Sequence, residues 1–100
     1  MSYRYEFHEE VAEDYNEAYT WYESQKKGLG DRFLEFVRKK MDQIAENPEA
    51  NSTKAHKSYR EAKVDVFPYL IVYKVYAKSK TIFVNSIHST RKHPKKKYRK

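Results

Sequence analysis

The amino-acid sequence predicts an α+β domain in which a helical hairpin packs on one face of a largely antiparallel sheet. Three observations carry this prediction. The hydrophobic period is helical between Val11 and Ile44 and close to two on either side of that stretch. Gly28-Leu29-Gly30 breaks the helical part into two arms, and so short a break makes an α-hairpin. One hundred residues without a cysteine allow a single domain around one core, with no disulfide framework to replace it.

In the first element, Tyr3-Arg4-Tyr5-Glu6-Phe7, aromatic and polar residues alternate, as in a short strand with the tyrosines and Phe7 on one face. Val11, Tyr15, Ala18 and Tyr22 then recur at helical spacing, with Ala12 and Tyr19 widening the stripe. Glu9, Glu10, Glu13 and Asp14 crowd the early turns of this helix, and Lys26 and Lys27 close it, an order that suits the helix dipole. The second helix is expected to start near Asp31, as N-cap, and to run to about Glu46 with Phe33, Val37, Met41 and Ile44 inward. Asn47-Pro48 stops it, because a residue before proline is pushed out of the helical region.

After a polar loop from Glu49 to roughly Lys54, Arg60, Ala62, Val64 and Val66 are expected on one strand face and Tyr59, Glu61, Lys63 and Asp65 on the other. Phe67-Pro68 marks a tight connection. Tyr69 to Ala77 is apolar or aromatic on both faces, as expected of a central strand. Lys78-Ser79-Lys80 links it to a last strand, Thr81 to His88, with Ile82, Val84, Ser86 and His88 on one face. The predicted order is β-α-α-β-β-β in one domain over residues 1–100, with a basic C-terminal segment from about residue 89.

Charge is unevenly placed. Residues 1–50 hold 12 acids and 7 bases, whereas His88 to Lys100 holds seven bases and no acid, equal to the whole net charge of +7. Such a concentration suits phosphates or an acidic partner, and equally a solvated tail. The longest strongly apolar stretch, Phe67 to Ala77, is too short to span a bilayer and contains Lys74. The N-terminus lacks the basic-then-apolar pattern of a signal peptide, so a soluble, cytoplasmic protein without membrane contact is expected.

Most enzyme templates fail. No glycine-rich phosphate cradle or nucleophile elbow is present. The histidines, His8, His56, His88 and His93, include no i,i+4 helical pair, so no metal and no cofactor is expected. What remains is the end of the last strand and the segment after it. Arg91 and the lysines can neutralise phosphates, and Tyr98 can stack on a base or move a proton. A metal-free ribonuclease would need such groups: one to take the 2′-hydroxyl proton, cations on the phosphorus, and one to protonate the leaving oxygen. Passive RNA binding would use the same groups, and His88 on an apolar strand face also reads as a structural residue.

The order of local patterns over the whole chain resembles the RelE/ParE superfamily of toxins from bacterial type II toxin–antitoxin modules. Glu17-Ala18 with Trp21-Tyr22 resembles its first helix, and Gly28-Leu29-Gly30-Asp31-Arg32-Phe33 its inter-helix break. Ile44 through Asn47-Pro48 resembles its second-helix ending. Tyr59-Arg60, Phe67-Pro68-Tyr69-Leu70-Ile71-Val72-Tyr73, and Ile87-His88 followed by Arg91 match its strands. The resemblance implies a toxin held by an acidic or amphipathic segment of a cognate antitoxin.

The superfamily has two main activities: ribosome-dependent, metal-independent mRNA cleavage in the RelE branch, and inhibition of DNA gyrase without nuclease action in the ParE branch. The leading expectation is mRNA cleavage on the ribosome, with His88, Arg91, Tyr98 and Arg60 catalytic and Lys92, Lys95, Lys96 and Lys97 holding nucleic acid. The alternatives are a gyrase inhibitor and an inactive member that only binds its antitoxin. The cutting branch carries a further arginine just before the central strand, where this chain has Asp65, or Val64 with a one-residue slip. An acid facing the scissile phosphate would repel it.

Overall fold

The computed structural model describes residues 3–51, 53, 58–92 and 97–99. Its elements follow the predicted order: β1 (Arg4–Phe7), α1 (Val11–Gln25), α2 (Leu29–Glu46), β2 (Arg60–Lys63), β3 (Tyr69–Tyr76) and β4 (Thr81–Ser89). The sheet runs β1-β4-β3-β2, with β1 parallel to β4 and the other pairs antiparallel. Both helices cover one face. Tyr5 and Phe7 lie on that side with their rings stacked at 5.8 Å, and the Tyr5 hydroxyl donates to the Met41 carbonyl at 2.6 Å.

The hairpin turns at Gly28, whose φ of +89° is left-handed backbone that a side chain would strain. α2 starts at Leu29, earlier than the predicted start near Asp31, because the cap comes from the preceding helix. Glu23 of α1 accepts the Gly28 N–H through Oε2 and the Gly30 N–H through Oε1, each at 2.9 Å. Its carboxylate thus satisfies donors that the first turn leaves orphaned and sits at the positive end of the helix dipole. Asp31 falls inside the first turn and accepts the Tyr19 hydroxyl at 3.1 Å.

Phe33 anchors the core with no exposed surface. Its ring lies 5.3 Å from Tyr22, 5.3 Å from Phe67 and 5.0 Å from Tyr69, which ties both helices to the sheet. Aromatic contacts of this geometry add to the area that the rings bury. Val64 is fully buried as expected, but Val66 is not on its face: it turns outward, 74% exposed, at a φ of +73°. β2 ends at Lys63, and the reversal at Val66 swings Phe67 inward against Phe33.

One irregularity decides which side chains can meet. Val72 pairs with Ser86 and Tyr73 with Val84, so Asn85 is an extra residue in β4. Such a bulge inverts the alternation beyond it. Ile82 and Val84 face the helices with Val75 and Tyr73, and past the bulge Ile87 joins them opposite Ile71. Ser86 and His88, paired with Val72 and Leu70, therefore lie on the open face, not on the face of Ile82 and Val84 as the sequence suggests.

Candidate functional site

β1 leaves β4 after Phe7 pairs with Val84, so among the described residues no strand pairs with that edge along the second half of β4. Part of that edge is satisfied by Asp14 of α1, whose Oδ2 accepts the Ile87 N–H at 3.1 Å. The C-terminal residues 97–99 bond to side chains of the same half of β4. The Lys97 carbonyl accepts Asn85 Nδ2 and Ser86 Oγ, both at 2.9 Å.

Two acids pin this segment. Lys97 Nζ lies 2.8 Å from Glu61 Oε2, and the Tyr98 hydroxyl donates to the same carboxylate. The Tyr98 ring stacks on Tyr59 at 5.0 Å. Burial, then the bond to Glu61, pushes the Tyr98 phenol above its ordinary pKa, so it holds its proton. Arg99 grips Asp14 with both ends of its fork, Nη2 to Oδ2 at 2.7 Å and Nη1 to Oδ1 at 3.2 Å. The Arg99 side chain is only 9% exposed and that of Asp14 18%, so this pair is largely removed from water.

His88 lies in this setting, 9% exposed. Burial lowers its pKa below 6.5 and the Lys97 ammonium adds to the effect, while Asp14 and Glu61 oppose it. The imidazole is therefore neutral at neutral pH and able to accept a proton. It lines a groove of about 430 Å³ with Glu10, Asp14, Glu17 and Arg99.

The other residues picked from the sequence are dispersed. Arg60 pairs with Tyr73 and so faces the helices, where its Nη1 donates to the carbonyls of Asn51 and Glu49. It lies on the opposite sheet face from His88. Arg91 lines a second groove, of about 1000 Å³, with Trp21, Tyr22 and Tyr69. Lys92 stands between the two grooves, bonded to Glu17. Lys95 and Lys96 lie outside the described residues. Asp65 turns toward α2, with Oδ1 3.8 Å from Lys40 Nζ, so the acids acting on His88 are Asp14 and Glu61 rather than Asp65.

Sequence reasoning missed Asp14, Glu61 and Arg99 as partners. Asp14 reads as a dipole-compensating residue and Arg99 as one cation among several. Glu61 left a trace, since it and Asp65 are the only acids after residue 50. Among the described residues, no three His, Asp or Glu side chains are grouped as metal ligands would be, and no helix is long and apolar enough to cross a membrane.

The sequence matches the family model for the ParE toxin of the type II toxin–antitoxin system parDE over residues 5–94. No curated protein matches it. The fold is similar to that in the chromosomal ParDE toxin–antitoxin system from P. aeruginosa, with a TM-score of 0.76 at 11% identity over 89% of this chain and 97% of that one. The isolated E. coli RelE toxin gives 0.67 at 22% identity over 91% and 87% of the two chains. The intact E. coli RelBE toxin–antitoxin complex gives 0.68 at 23% identity over 90% and 99%. At these identities the structural likeness speaks for the fold.

Proposed function

This chain belongs to the ParE toxin family of type II toxin–antitoxin systems, and from that premise we propose that it acts by binding DNA gyrase rather than by cutting messenger RNA. The observation that carries the reading is the dispersal of the groups that metal-free cleavage would have to gather. Such cleavage needs a base, cations on the developing phosphorane and an acid on the leaving oxygen, all within reach of one phosphate. Around His88 the neighbouring charges include two carboxylates, Asp14 and Glu61. Arg60 is on the other sheet face, Arg91 lines the other groove, and Lys97 and Tyr98 are spent on Glu61. Carboxylates beside a scissile phosphate raise its energy, most of all in a partly dry groove. Gyrase is the target that likeness to the ParE branch implies.

Two parallel reactions test this. Purified toxin is added to gyrase with supercoiled DNA, and separately to a reconstituted translation reaction with message ends mapped by primer extension. The expected result is accumulation of cleaved DNA–gyrase complexes with intact message. New message ends that appear within codons only when ribosomes are present would overturn the proposal.

One observation favours the second reading, ribosome-dependent cleavage: His88 is neutral at neutral pH, as a general base must be. That chemistry would require residues 97–99 to leave Glu61 and Asp14 first. If message is cut, Arg91→Ala should slow the cutting, and equal rates would remove Arg91 from the mechanism.

A further inference from the structure

We infer that the groove between α1 and the ends of β3 and β4 is the anchor point for the antitoxin, taking an aromatic or aliphatic side chain against Trp21 and an adjacent carboxylate on Arg91. The inference rests on the chain being a toxin with an antitoxin partner, and it is independent of whether the target is gyrase or the ribosome.

Trp21 is the chain's only tryptophan, and it is 55% exposed. Its ring packs edge-on against Tyr22 at 5.1 Å and 85°, which backs the indole on one side and leaves apolar surface open on the other. An exposed indole beside a concave surface is the kind of residue on which interfaces concentrate their energy. Tyr22 and Tyr69 line the groove with Pro68, and its volume of about 1000 Å³ holds several side chains of a peptide segment.

The described cations near the C-terminus differ in whether a carboxylate holds them. Lys92 is bonded to Glu17, Lys97 to Glu61 and Arg99 to Asp14. The Arg91 side chain, exposed on the far lip of the groove from α1, has no hydrogen bond or ion pair among the described residues. A guanidinium next to aromatic surface suits a carboxylate, which it can hold with two parallel bonds as the groove dries.

The α1 lip selects against other occupants. Glu9, Glu13 and Glu17 line it, the last paired with Lys92, so a nucleic-acid backbone would meet the carboxylates of Glu9 and Glu13 there. A segment that is acidic throughout would be repelled at the same lip. The fitting partner is thus an amphipathic peptide with its acid toward Arg91 and neutral or basic groups toward α1. Because both grooves share Glu17, Tyr69 and Lys92, such a segment would also flank the entrance to His88.

Trp21 supplies the test, since no other indole contributes to the emission of this chain. The cognate antitoxin, with any tryptophan replaced by phenylalanine, is titrated into the toxin. A saturable blue shift is expected, and Arg91→Glu should raise Kd about tenfold or more, with Arg91→Lys between the two. Arg91 is exposed, so these variants should fold, as far-UV circular dichroism checks. Tight binding with no emission change and the same Kd for Arg91→Glu would overturn the site while leaving the toxin–antitoxin pairing intact. No binding at all would remove the pairing and the site together. A blue shift that follows the toxin's own concentration, with dimers in light scattering that Arg91→Glu abolishes, would assign the groove to a second copy of the chain and overturn the proposal.

Discussion

On the helix-facing side of the sheet, Phe33 meets rings from α1, β3 and the Phe67 turn. On the other side and along the free half of β4, the groups that meet are Glu61 with Lys97 and Tyr98, and Asp14 with Arg99. The first region is held by apolar burial, which is non-directional and grows with area. The second is held by charge-assisted bonds whose partners have lost much of their water, so each bond must be made well or the site is costly. The comparison teaches why the fold and the functional site respond to different perturbations. The core is indifferent to charge, while the C-terminal segment is set by two acids and by the protonation of the groups around them.

The largest effect expected is in the aromatic region. Phe33→Ala removes a fully buried ring and should cost about 3–5 kcal/mol, a large part of the total stability of a domain this size. Urea unfolding checks it: a cost under about 1 kcal/mol would mean that the rings repack and the core is looser than the contacts indicate.

Asp14→Ala comes next, and it bears on the second region. It leaves a guanidinium that is 9% exposed without its carboxylate and the Ile87 N–H without its acceptor. The expected cost is about 2 kcal/mol, with faster proteolysis at the C-terminus. The double variant Asp14→Ala with Arg99→Ala should recover part of the loss. Simple additivity would show that the pair is not coupled.

The smallest effect expected is the pH dependence from His88. Its pKa is lower in the folded chain than the ordinary 6.5, so the unfolded chain binds the proton more readily. This contribution to stability is complete above about pH 6.5 and declines as pH falls below it, levelling off beneath the folded pKa. His88→Gln should flatten that part of the profile in urea midpoints taken from pH 7 to pH 5. An unchanged slope would assign it to other groups.

Much of the fold was legible because it is written in local spacing. The stripe Val11, Ala18 and Tyr22 is the buried face of α1, and Phe33, Val37 and Ile44 are the buried face of α2. The errors lie where another part of the chain intervenes. Asp31 has the chemistry of an N-cap, but Glu23, in the last turn of α1, already occupies the role. His88 was placed with Ile82 and Val84 because strict alternation ignores the extra residue at Asn85. The trace of that bulge is present, since the inward residues Ile82, Val84 and Ile87 are spaced by two and then by three. Val66 continues the alternation of β2 in sequence, yet the need to bury Phe67 turns it outward.

The sequence by itself determined the order and type of the elements, the hairpin at Gly28, the aromatic core and the excess of positive charge after His88. Each follows from which residues share a face within one helix or strand. Only the tertiary structure decided which of those charges is available. Arg99 finds Asp14 85 residues away, and Tyr98 finds Glu61 37 residues away. Partners so distant meet only when the sheet register and the bulge bring their faces together, and no local period encodes that meeting. Among the described residues, the tail that reads as one block of positive charge is thereby divided into Lys92, Lys97 and Arg99, which hold the chain to itself, and Arg91, which is exposed.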